Sequence, residues 1–151
     1  MAVDPKGAVR IDGLREEIAL HTRRTKQLKD YRVPLRRAQI ALFAAIQRNF
    51  QKQGSDEGPW EKLKPLTLAR KLKTGHSPLI LIYSGALKRD WDLPEPEGNT
   101  AQVQSKRFYG TYHQTGAGHL PKRRVTPSDA ATRALVLKEF KAYTASVLRE
   151  K

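Results

Sequence analysis

One segment concentrates the residue types that do chemistry. Tyr109-Gly110-Thr111-Tyr112-His113-Gln114-Thr115-Gly116 runs on through Gly118 to Leu120-Pro121-Lys122-Arg123-Arg124. An imidazole beside a carboxamide suits general-base catalysis or a nucleic-acid contact. Tyr109 and Tyr112 can stack on bases, or pack and hydrogen-bond at a protein interface. Lys106-Arg107 and Lys122-Arg123-Arg124 offer charge to DNA or to an acidic partner. His113-Gln114 has no second titratable residue nearby in sequence. The favoured reading is therefore a strand-end pair whose polar atoms bond to neighbouring backbone and pin the loop.

Other chemistries lack their residues. The chain has no cysteine, hence no disulfide framework, thiolate zinc site or thiol nucleophile. His113 and His119 lie six apart without a nearby Cys, Asp or Glu, which is poor metal-ligand spacing, and there is no His-Glu-x-x-His helix. No Gly-x-Ser-x-Gly elbow occurs. Gly116-Ala117-Gly118 leads into proline and basic residues, not into a helix, and reads as a flexible turn rather than a phosphate cradle. The acids of residues 90–97 sit in a proline-rich loop, which is poor ground for a carboxylate pair held at fixed separation. The expectation is a chain without catalytic residues, metal or cofactor.

The elements that position the central segment follow from periodicity. Ile11, Leu14, Ile18, Thr25 and Leu28 fall near one helical face, predicting a helix over 11–29. Pro34 suits the first turn of a second helix, which runs to about residue 53 with the apolar stripe Leu35, Ala38, Leu42, Ala45, Ile46 and Phe50. A short helix is expected over 66–73. Residues 79–83 are apolar and fit either a strand or a buried helical turn. Trp60 and Trp91 stand beside turns, as aromatics capping a core edge do. Residues 101–106 alternate as a half-buried strand does, and a second strand over 108–114 would pair with it. Residues 116–127 form a long irregular loop. Thr126-Pro127-Ser128-Asp129 then supplies a capping hydroxyl, a first-turn proline and an early carboxylate for a last helix to about residue 148. Its predicted inner face is Ala130, Leu137, Phe140, Thr144 and Val147. This is an α+β pattern, with N-terminal helices and a C-terminal helix on a small antiparallel sheet with a long loop.

The chain has 151 residues and a formal charge of +14. That length fits one globular domain with a sizeable core. The division expected is an N-terminal helical arm over 1–31 and an α+β domain over 32–151. Met1-Ala2-Val3-Asp4-Pro5-Lys6 lacks the apolar stretch of a signal peptide. The apolar runs 40–46 and 79–83 are too short to span a bilayer, so no membrane partner is expected. Residues 54–100 carry Lys/Arg at 62, 64, 70, 71, 73, 88 and 89, balanced by acids at 56, 57, 61, 90, 92, 95 and 97. Residues 101–125 carry bases at 106, 107, 122, 123 and 124 and no acid, and 34–53 is likewise acid-free. Such surfaces draw in nucleic acid or acidic protein.

The punctuating residues form a longer ordered pattern. Arg32-Val33-Pro34-Leu35 opens a helix ending at Asn49-Phe50, followed by Gly58-Pro59-Trp60-x-x-Leu63, Leu66-Thr67 and Lys71. Then come Leu79-x-Leu81, Ser84-Gly85-x-Leu87, Tyr109-x-x-x-His113-Gln114-x-Gly116 and Leu120-Pro121-x-Arg123. Over roughly residues 32–148 this resembles the phage virion-morphogenesis family of Mu-like phages and prophages, which includes tail-completion proteins of contractile-tailed phages. The sequence departs from the family at Arg124-Val125, where Pro-Phe is usual, and at Gly110, Thr111 and Tyr112. The resemblance implies a structural virion protein, assembled in the host cytoplasm, at the head–tail junction or the head-proximal end of the tail. It implies a homo-oligomeric ring around the DNA channel, a hexamer favoured over a dodecamer, touching neighbouring neck and tail proteins. Assembly or docking would fall to Trp60, Ser84, Gly85, Leu87, Tyr109, His113, Gln114, Gly116, Pro121 and Arg123. Channel DNA or an acidic neighbour would meet Lys106, Arg107, Lys122, Arg123 and Arg124. The alternative from charge alone is an independent nucleic-acid-binding domain.

Overall fold

A computed structural model describes residues 2–3, 9–10 and 14–149. The fold is α+β, with six helices and short antiparallel strand pairs among those residues. In chain order, β1 (Ala2–Val3) pairs with β2 (Val9–Arg10), and α1 (Leu14–Lys29) and α2 (Arg32–Lys52) follow. Next come β3 (Gly54–Ser55) with β4 (Gly58–Pro59), α3 (Pro65–Lys73), α4 (Ala86–Arg89) and β5 (Trp91–Asp92). The chain continues with β6 (Gln104–Ser105), α5 (Gly110–Thr115) and α6 (Asp129–Arg149). The helix expected over 11–29 is α1, and residues 11–13 of that span lie outside the described residues.

The core forms where α2 turns its stripe inward. Ile46 and Phe50 are fully buried and pack with Trp60, Leu87 and Val125. Trp60, 5% exposed, belongs to this cluster: its ring meets Phe50 edge-on at 5.6 Å, a geometry worth about 1 kcal/mol beyond burial. Leucine and alanine spacing alone suffices to make α2 the main core helix, and Gln53 ends it in a left-handed conformation with its N–H on the Asn49 carbonyl. Within the same stripe Gln39 is buried and polar. It resolves its burial by donating to the Pro94 carbonyl at 2.7 Å and the Gln102 carbonyl at 2.8 Å, which fastens the 94–102 loop to α2.

α6 lies along α2, and α1 lies against α6, where the Tyr143 hydroxyl donates to the Gln27 carbonyl at 2.9 Å. Ser128 caps α6 through its hydroxyl, which accepts the Ala131 N–H at 3.2 Å. The inner face of α6 differs from the expected one. Thr132, Val136, Phe140, Tyr143 and Val147 turn inward, whereas Ala130, Leu137 and Thr144 are exposed. In α1, Ile18 and Thr25 are exposed while Leu20, Gln27 and Leu28 are partly covered. α1 carries few apolar residues and α6 carries them around most of its circumference, so spacing alone fixes neither rotation; the surface they meet fixes it.

The expected strand pair 101–106 with 108–114 does not form. Gln104–Ser105 pairs instead with Trp91–Asp92, and 110–115 is helical. Gly116 carries the reason: at φ 77° its N–H returns to the Tyr112 carbonyl at 2.8 Å, which closes a helix, not a strand. Residues 79–83 form neither strand nor helix. Lys71, buried, donates to the Leu79 carbonyl at 2.6 Å and the Ile82 carbonyl at 2.8 Å, holding that stretch as a sequence of turns. Among the described residues no helix is long and apolar enough to cross a membrane.

Candidate assembly site

Residues 123–126 form a strap that is neither helix nor strand, so their backbone groups must be satisfied otherwise. Side chains from three other elements supply the bonds. Gln114, on α5, accepts the Val125 N–H at 2.8 Å and the Thr126 N–H at 3.2 Å through one carboxamide oxygen, and its NH2 donates to the Thr126 hydroxyl. Asn49, on α2, donates to the Val125 carbonyl at 2.9 Å. The Trp60 indole N–H reaches the Arg124 carbonyl at 2.9 Å. The Arg123 N–H completes the set on the His113 carbonyl at 2.8 Å. Val125, held on both sides, points into the core and is 2% exposed.

Arg123 is 7% exposed. Its guanidinium donates to the carbonyls of Glu61 at 3.0 Å and Lys62 at 3.4 Å, locking the strap to the segment after Trp60. Burial lowers its pKa from the ordinary value, and the nearby Glu61 charge pulls the other way. This corrects the expectation that Arg123 faces DNA or a partner: its charge is spent inside the chain. The other predicted cations already face carboxylates of this chain. Lys106 meets Asp92 at 3.0 Å, Arg107 bonds Asp90, Lys122 meets Glu57 at 3.2 Å, and Arg124 is shared between Glu57 at 2.9 Å and Asp129 at 2.8 Å.

The remaining pattern residues set up the same site. Gly85, at φ 79°, turns the chain into α4 with the Ser84 hydroxyl accepting the Ala86 N–H. That turn drops Leu87 into the core and leaves its carbonyl for the Trp91 indole at 2.8 Å. Tyr109 precedes α5 and packs on the core. Gly116 leaves room that a side chain would fill, since a Cβ there would lie 3.2 Å from the Lys122 backbone nitrogen. Pro121, half-buried, leads into the strap. Asn49, Gln39, Lys71 and Glu57 belong to this scaffold but were not among the expected site residues; Asn49 and Lys71 stood in the ordered pattern, and Gln39 showed as a polar residue next to Ala38 on the apolar stripe.

His113 lies in α5 and is partly buried. Its Nδ1 is buried without a hydrogen-bond partner. Burial, aided by the positive charge of Arg123, lowers its pKa below the ordinary value, so the ring is neutral near pH 7. Among the described residues no group of three or more His, Asp or Glu is placed to hold a metal. What the site leaves facing outward is aromatic: Phe108 is 79% exposed, with Tyr112 beside it at 6.5 Å between ring centres, and Leu120 stands exposed at the tip of the loop. No protein family, curated protein or solved structure matches this chain.

Proposed function

We propose that this chain is a structural subunit of a phage virion, placed at the head–tail junction or the head-proximal end of the tail. It acts without catalysis, as one copy of a ring around the DNA channel. The observation that carries the reading is the convergence of the pattern residues. Trp60, Leu87, Tyr109, Gln114, Gly116 and Arg123 are scattered over some sixty positions of sequence, yet they gather on or beside one strap: Trp60 and Gln114 bond its backbone, Leu87 and Tyr109 belong to the core that takes in Val125, Gly116 lies against Lys122, and Arg123 ties the strap to the Glu61 and Lys62 carbonyls. Residues so used specify a fold, which is what an ordered pattern shared among structural proteins encodes. The resemblance supplies the virion role, and the outward Phe108, Tyr112 and Leu120 supply apolar surface suited to a neighbouring subunit. A heterologous contact repeated by rotation closes into a ring, a hexamer in this reading.

The test is deletion of the gene from the phage or prophage that carries it, followed by electron microscopy of the particles. Unjoined heads and tails, or tails of aberrant length, are expected, with infectivity restored by the gene in trans. Normal infectious particles in its absence would sink the proposal. Native mass spectrometry of the purified chain, alone and with its neighbours, gives the ring size.

A further inference from the structure

The acids that balance residues 54–100 all lie at the two ends of that span, at 56, 57 and 61 and at 90, 92, 95 and 97. Between them, residues 62–89 hold seven Lys/Arg and no acid. Lys71 is buried against carbonyls and Arg89 bonds the Ser84 carbonyl, but Lys62, Lys64, Arg70 and Lys73 are exposed. Among the described residues none of those four forms an ion pair, in contrast to Lys106, Arg107, Lys122 and Arg124. The charge of these four, on α3 and just before it, is therefore unpaired among the described residues.

We propose that the outer face of α3 is a duplex-DNA backbone contact, with Lys62 and Lys64 on one phosphate strand and Arg70 and Lys73 on the other. Lys71 turns inward, which leaves Leu66, Ala69, Arg70 and Lys73 on the opposite, outward face. The nine residues of α3 span about 13 Å, close to the ~12 Å width of the major groove. One cation pair precedes the helix and the other ends it, so the two pairs are set apart by about that width. Leu66, 72% exposed, lies between them, where an apolar side chain meets sugar or a thymine methyl. Three of the four cations are lysines, which protein interfaces disfavour and phosphate contacts use freely. The inference stands on this charge distribution and does not depend on the virion reading; binding by the purified chain and assembly of the particle fail separately.

Anisotropy of a labelled random-sequence duplex, titrated with the full chain at several salt concentrations, is the test. Four phosphate contacts give a slope of about −3.6 in log affinity against log salt, a loss of about 150-fold between roughly 50 and 200 mM. The double variant R70A/K73A should bind more weakly, and its slope should be shallower by about 1.8, leaving about a 12-fold loss over the same range. The double variant K106A/K122A should keep the slope of the parent chain. Thermal melts of both variants check that each is folded. The proposal is overturned by a parent chain that leaves the duplex unbound at low salt, by an R70A/K73A slope equal to the parent's, or by an equal loss in K106A/K122A. Polyglutamate competing as well as unlabelled duplex also overturns it, in favour of an acidic protein partner.

Discussion

Replacing Gln114 with Ala removes the one carboxamide that serves two backbone N–H groups of the strap. The Val125 N–H belongs to a core residue that is 2% exposed, and its bond to Gln114 is 2.8 Å. Left without a partner it costs about 1–3 kcal/mol. The Thr126 N–H is held at 3.2 Å by the same oxygen and is only half-buried, so its loss adds about 0.5–1 kcal/mol. The sum is about 3 kcal/mol. In a chain of this length that lowers Tm by about 6–12 °C. Gln114→Glu is the matched control. A carboxylate still accepts both N–H groups, which favour its charged form, and the Thr126 hydroxyl can turn to donate where it now accepts. Its loss should stay below about 1 kcal/mol, or about 2–4 °C. Calorimetry of the three chains reads the melts, and hydrogen exchange at the Val125 amide reads the local effect. An alanine variant that melts within about 2 °C of the parent, or a glutamate variant that falls as far as the alanine one, refutes the account of the strap.

Two further outcomes follow from the same site. Because His113 is held below its ordinary pKa of about 6.5, it favours folding fully above that value, and the contribution is lost as pH falls below it through the folded-state pKa. The acid-side fall in Tm should therefore be shallower for His113→Gln than for the parent, and parallel curves of Tm against pH would contradict the burial argument. Gly116→Ala forces a side chain into a left-handed position at φ 77° and sets its Cβ 3.2 Å from the Lys122 backbone. The left-handed term alone costs about 1–2 kcal/mol, so urea midpoints should fall accordingly; an unchanged midpoint would mean that α5 ends in some other way.

Much of the helical frame was legible in the chain. The α2 stripe and the proline in its first turn are local signals, and each sits where its spacing places it; α6 begins at Asp129 with Ser128 as its cap, so Pro127 precedes that helix instead of standing in its first turn. Residues 108–114 were misread because seven residues with two tyrosines suit a strand as well as a helix. The deciding residue, Gly116, gained its meaning only from a bond back to Tyr112. Arg123 was misread for a related reason. Within Lys122-Arg123-Arg124 nothing local separates a surface cation from one that must be buried, since the carbonyls that receive Arg123 belong to Glu61 and Lys62, about sixty residues away in sequence.

The same division runs through the segment 109–124. Residue order alone determined that it lacks the acids and thiols that metal and thiol chemistry require, and that its glycines interrupt regular structure. Tertiary structure decided what its polar groups are for. His113 and Gln114 share a helix, and the imidazole has its Nδ1 buried while the carboxamide serves the strap. Tertiary structure also decided which cations remain available. Charges are countable in sequence, but pairing depends on distance, and the fold set Asp90, Asp92 and Glu57 against the basic residues after position 105. Among the described residues Lys62, Lys64, Arg70 and Lys73 form no ion pair, so the balance of acids and bases counted over residues 54–100 is not a pairing in space.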